Sequence, residues 1–193
     1  MNVLLIGPPG SGKGTQGQRL AQRKGWHHIA TGDLLRTEVS EGTDLGRQVE
    51  TIMARGELVG DELIIEMVVP RVQAAADAGG YVLDGFPRSV AQAQQALARI
   101  NDSSARPDIV IYLEVAHDEL IRRILERAAV EGRSDDTTEV VENRLRVFDE
   151  ATKPLIDYYR GRGLLTVIDG AQSPDDVTRA VEAALDEVGA DQH

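Results

Sequence analysis

Four short runs of apolar, largely β-branched residues mark the chain: Val3 to Gly7, Tyr81 to Gly85, Ile109 to Val115 and Leu164 to Asp169. They are near-continuous rather than alternating, which predicts strands buried on both faces. A weaker fifth run covers His27 to Ala30. Between the runs the apolar positions recur at helical spacing. This βα alternation predicts a five-stranded parallel sheet with helices on both faces. Several helix ends are legible. Ser173 reads as the N-cap of a last helix opened by Pro174-Asp175-Asp176. A helix over Asp61 to Ala78 starts with two acids and stops at Gly79-Gly80, and Pro70 inside it predicts a kink or a restart.

Two stretches depart from the alternation. Thr31 to Val59 predicts short helical pieces broken by Gly32, Gly42, Gly46 and Gly56, without a strand. Arg127 to Thr138 is small, polar and charged. Both read as insertions on one domain spanning 1–193, and the polar tail from Gly189 to His193 is expected to fray.

Composition narrows the class. At 193 residues and 21.0 kDa the chain fits one globular domain. The net charge of −11 sets it against nucleic acid backbones and anionic membranes, so neither is expected as a partner. No run approaches the ~20 apolar residues of a membrane span. Met1-Asn2 lacks the basic start of a signal peptide, so a cytoplasmic location is expected. With no cysteine there is no disulfide and no thiolate zinc site. Of the 21 basic residues only Lys13, Lys24 and Lys153 are lysines; the others are arginines, whose planar fork suits phosphate and carboxylate.

The candidate chemistry begins at Gly7-Pro-Pro-Gly-Ser-Gly-Lys-Gly-Thr15, between a predicted strand and a predicted helix. Glycines at 7, 10, 12 and 14 let backbone N–H groups converge on an anion at a helix N-terminus, with Lys13 reaching the outer phosphates. The general phosphate-loop pattern wants a hydroxyl directly after the lysine; here Gly14 intervenes and Thr15 carries it. A second cluster, Tyr81-Val-Leu-Asp-Gly-Phe-Pro-Arg88, places Asp84 at the C-terminal end of a buried strand, where sites in open parallel sheets lie. A carboxylate there can orient Mg²⁺, directly or through water. Arg88 and Gln92, four apart, are expected on one face of the next helix, one for a phosphate and one for an adenine edge. His27-His28 shows no metal spacing, and Trp26 reads as packing.

With Thr-Gly-Asp-Leu-Leu-Arg at 31–36, Asp-Gly-Phe-Pro-Arg at 84–88, Gln92 and Gly-Arg-Ser-Asp-Asp at 132–136, the chain resembles the adenylate kinase family in order from residue 1 to about 188. That family's phosphate loop carries the same extra glycine after the lysine. The resemblance implies reversible phosphoryl transfer, MgATP plus AMP to two ADP, serving adenine nucleotide homeostasis, by a monomeric enzyme with Mg²⁺ arriving on ATP. It makes 30–59 the AMP-binding flap, with Thr31, Arg36, Glu57, Leu58 and Val59 on AMP and Gly85, Phe86, Pro87, Arg88 and Gln92 completing the site. Relatives have Pro or Ser where Gly60 stands. On the donor side it implies Gly10, Ser11, Gly12, Lys13, Gly14 and Thr15 around the ATP phosphates, with Arg123, Arg127 and Gln172 lining the rest of that pocket. Arg133 and Arg144 close over the phosphates in transit and are counted with the AMP site, and 126–136 is a lid of the short, zinc-free form.

Taken singly, Arg123, Arg127 and Arg144 read better as solvated helix charges partnered by Glu126 and Glu142; the matching motifs reverse that reading. Related UMP/CMP kinases carry Ala at the position of Thr31 and Asn near that of Gln92, so both positions favour AMP. Guanine-nucleotide switches carry an Asn-Lys-x-Asp base-reading motif, which this chain lacks. A purely structural α/β module leaves the glycine loop and the arginine clusters without purpose.

Overall fold

The computed structural model describes residues 1–100, 102–131 and 137–190, with the backbone alone from 127 to 131. Five strands form one sheet: β1 (Asn2–Ile6), β2 (His27–Ala30), β3 (Tyr81–Asp84), β4 (Ile109–Glu114) and β5 (Leu165–Asp169). The order is β2-β3-β1-β4-β5 and every pairing is parallel, with Leu4 opposite Leu83 on one side and Val110 on the other. β1 is therefore central and buried throughout. Its side chains alternate between two cores, as the two-residue strand period requires. Val3 and Leu5 pack with α1 (Lys13–Lys24) and α9 (Pro174–Ala190). Leu4 and Ile6 pack with α4 (Asp61–Asp77), α5 (Val90–Arg99) and α8 (Pro154–Arg160). The weak β2 is real, held by its ladder to β3.

Between β2 and α4 the chain forms α2 (Thr31–Ser40) and α3 (Asp44–Ala54), so the strandless insertion is a helical hairpin. Gly42 and Gly56 end its helices, but Gly32 and Gly46 lie inside them. Gly46 is there because α3 crosses α2 in backbone contact; any side chain would overlap the Glu38 carbonyl. α4 runs through Pro70 without restarting. The turn around that proline is braced by the Arg71 guanidinium, which donates to the Met67 carbonyl at 2.6 Å. α9 extends to Ala190, past the expected start of fraying, and Ser173 caps it by accepting from Asp176 N at 3.2 Å.

α6 (His117–Glu131) and α7 (Thr138–Val147) share a small core of Leu120, Ile124, Val141 and Leu145. From α7 the chain passes through one π-helical turn, Phe148–Thr152, into α8. Such wide turns shift the helix face and often present a side chain at a site.

Candidate active site

The C-terminal ends of β1, β2 and β3 open into one cavity of about 1080 Å³, larger than a single small ligand needs. It lies outside β1, where the chain's strand order reverses, the usual crevice of such sheets. At its base the loop from Gly7 to Gly12 turns into α1. Gly10 (φ +82°) and Gly12 (φ +93°) hold backbone that other residues rarely adopt. No side chain caps α1, so its first amides remain for an anion. Lys13 folds back over the loop, donating to the carbonyls of Gly7 at 2.8 Å and Pro8 at 3.0 Å. Gly10, Gly12, Lys13, Gly14 and Thr15 line the cavity. Ser11 does not; it is buried, and its amide closes the loop onto the Pro8 carbonyl at 3.2 Å.

Three arginines from separate elements also line the cavity. Arg36 comes from α2 and is ion-paired with Asp33; Arg144 comes from α7; Arg88 precedes α5. Burial lowers the Arg88 pKa most strongly. Nearby Asp84 opposes that shift, while the positive charges of Arg144 and Arg36 add to it. Three guanidinium groups crowded in this way favour a bound anion. Asp84 and Thr31 complete the floor; the Thr31 hydroxyl donates to the Asp84 carbonyl at 3.1 Å.

Arg88 is not on the helix of Gln92, as its spacing predicted. α5 starts at Val90 behind an N-cap at Ser89, so the two residues meet across a capping turn. The Gln92 Oε1 accepts from Arg88 N at 2.8 Å and its Nε2 donates to Asp61 at 2.7 Å. One N–H and one lone pair of that carboxamide remain for a base edge. The Arg88 carbonyl is gripped from the other side by the Thr152 hydroxyl at 2.8 Å, and its Nε donates to the Gly85 carbonyl at 2.9 Å. Phe86 is core, packed under the loop, while Pro87, joined to it by a cis peptide, lines the cavity.

Gly85 itself sits at φ +82°, and a Cβ there would lie 2.5 Å from the Thr31 hydroxyl. Gly85→Ala is therefore expected to lower stability by about 1–3 kcal/mol and to displace Arg88, read as a lower melting temperature together with weaker acceptor use.

Arg123 also lines the cavity and is locked in place by the Gly170 carbonyl at 2.8 Å, the Ala171 carbonyl at 3.3 Å and Glu119 at 2.6 Å. Hydrogen bonds from Arg122, then Arg123, pull the Glu119 carboxyl down to about 2. The partner of Arg123 is thus Glu119, while Glu126 pairs with Arg122. Gln172 is exposed on the loop beside Arg123, its amide on the Asp169 carbonyl at 3.4 Å, and it does not line the cavity. Glu57, Leu58 and Val59 do, at the end of the hairpin. The Arg127 side chain, Arg133 and the stretch 132–136 lie outside the described residues.

Thr152 and Asp61 escaped the sequence reading. Each acts through a partner 64 or 31 residues away, which no local spacing encodes.

A phosphate loop at the head of α1 that shares one cavity with Arg36, Arg88 and Arg144 defines a P-loop phosphotransferase. The family model for adenylate kinase matches residues 5–164. Proteins named adenylate kinase from Maricaulis maris and Thermus thermophilus are each 46% identical to the chain, over 187 and 183 residues. The matches cover 97% and 95% of this chain and 100% and 96% of those relatives. One from Stenotrophomonas maltophilia is 43% identical over 185 residues, 96% of this chain and 99% of its own. The chain belongs to the adenylate kinase family, a group of nucleoside monophosphate kinases. No helix among the described residues is long and apolar enough to cross a membrane.

Proposed function

We propose that this chain transfers the terminal phosphoryl group of MgATP to AMP, reversibly, giving two ADP. The observation that carries the reading is the single cavity shared by the Lys13 loop and by Arg36, Arg88 and Arg144. ATP occupies the loop side, its polyphosphate on the α1 amides and Lys13, with Arg123 beside the base. Arg127, Gln172 and the 126–136 lid belong to that half. AMP occupies the hairpin side, 30–59, with its phosphate on Arg36 and Arg88 and its base near Thr31, Gln92 and the backbone of Glu57 to Val59. Arg133 and Arg144 bear on the phosphoryl group as it moves.

The acceptor phosphate is already an anion, so no general base is needed. The two substrates together carry about four negative charges, since phosphate second pKa values lie near 6. Lys13, Arg36, Arg88, Arg123, Arg133 and Arg144 offset them against a chain of net charge −11. In a site closed to water each such contact counts for more than at the surface, and water is kept from competing as acceptor. Mg²⁺ favours phosphate oxygens, water and one or two carboxylates over an all-protein cage. Asp84 and Thr15 line the cavity beside the loop and fit that donor set; the ion supplies charge neutralisation on ATP when bound. Both substrate halves come from one polypeptide, so a monomer suffices, and a cytoplasmic enzyme would meet its nucleotides there.

A coupled assay for ADP tests this, run with ATP against AMP, CMP, UMP and GMP, with and without Mg²⁺. The expected result is ADP formation that requires both AMP and Mg²⁺. Equal or faster turnover with CMP or UMP would replace AMP as the substrate. Slow hydrolysis indifferent to every acceptor would point to a nucleotide switch instead.

A further inference from the structure

The end of the helical hairpin is docked onto α7. Asn143 Nδ2 donates to the Arg55 carbonyl, the C-cap of α3, at 2.6 Å, joining residues 88 apart in sequence. The carboxamide cannot swing away freely, because its Oδ1 accepts from Arg146 at 2.7 Å. The next residue, Gly56, is buried, and its backbone lies so close to α7 that a Cβ would come within 2.9 Å of Arg144 Cγ and 3.2 Å of the Val140 carbonyl. The seam thus ties together two parts of the cavity wall that arrive from distant elements. One is the Glu57–Val59 backbone immediately after Gly56; the other is Arg144, the next residue after Asn143.

We propose that Asn143 is a positioning residue for the acceptor nucleotide, setting the hairpin's end at a fixed distance from Arg144. This rests on AMP lying between those two walls. Asn143 does not line the cavity, so it acts through the Arg55 carbonyl and not on the ligand. The polar bond supplies direction to a contact that is otherwise one glycine against aliphatic stems. Without it the carbonyl turns to water and the hairpin's end is free to drift from α7, which lowers the fraction of molecules with both acceptor walls in place. Donor binding, proposed on the Lys13 loop, is left as it was.

Asn143→Leu tests this, since leucine keeps the shape and neutrality but has no donor. The expected result is a KM for AMP raised about fivefold, with the KM for ATP and the melting temperature close to native. Asn143→His, whose Nδ1 stands the same number of bonds from Cα as the asparagine Nδ2, should bring the AMP KM back to within about twofold. An unchanged AMP KM in Asn143→Leu, or equal rises for both substrates, overturns the role of Asn143. Failure of the native enzyme to use AMP at all would instead overturn the acceptor assignment, and the same assay separates the two.

Discussion

Lys13→Met is expected to lower turnover by about three orders of magnitude while the protein stays folded. Methionine keeps most of the aliphatic stem but not the ammonium, which holds the Gly7 and Pro8 carbonyls at 2.8 and 3.0 Å and, on the proposed reading, meets the donor's outer phosphates. Losing one preorganised positive charge in a site that excludes water costs about 4 kcal/mol of transition-state stabilisation, which is the stated factor in rate. The fold should survive because α1 is anchored elsewhere. Leu20 and Ala21 pack under the sheet, and Gln16 joins α9 through Thr178 at 2.8 Å. Initial rates and a thermal melt on the same sample decide the matter; near-native turnover in the folded variant would falsify the placement of ATP.

Arg88→Ala should cut kcat/KM for AMP by about two to three orders of magnitude and change ATP affinity by less than about threefold. The side chain lines the cavity and, on the proposed reading, holds the acceptor's phosphate. Its charge is held at a cost, since burial and the fields of Arg144 and Arg36 work against it. Removing it relieves that repulsion but also loses the Asp84 attraction and the hydrogen bond to the Gly85 carbonyl, so the ligand-free protein is expected to melt close to the native one. Activity would then fall without a fall in stability, the pattern of a group strained for function. Comparable losses for both nucleotides would contradict its assignment to the acceptor.

Much of this was readable from the residues in line. The runs at Val3, Tyr81, Ile109 and Leu164 became strands within a residue or two of their expected ends. Even the weak run at His27 paired as β2. The glycine loop, Asp84, Arg36, Arg88, Arg123 and Arg144 line one cavity, whereas Ser11, Phe86 and Gln172 do not. The misreadings share a cause. Gly46 looked like a helix breaker because its reason for being glycine lies on another helix, at the Glu38 carbonyl. Arg88 looked helical because the four-residue spacing to Gln92 also fits a side chain folded back across an N-cap. Glu119, the partner of Arg123, went unnamed because Glu126 lies equally within helical reach and only the loop at Gly170 selects the side chain's orientation.

The amino-acid order alone was enough for the element types, the phosphate loop and the family, because each depends on residues within a few positions of one another. Hydrophobic period, turn-forming glycine and helix caps act at that range. The strand order, the meeting of Arg36, Arg88 and Arg144, and the grips of Thr152 on Arg88 and Asn143 on Arg55 were decided only in three dimensions. Those partners are chosen by which helices the sheet brings side by side, and that choice is a property of the packed whole.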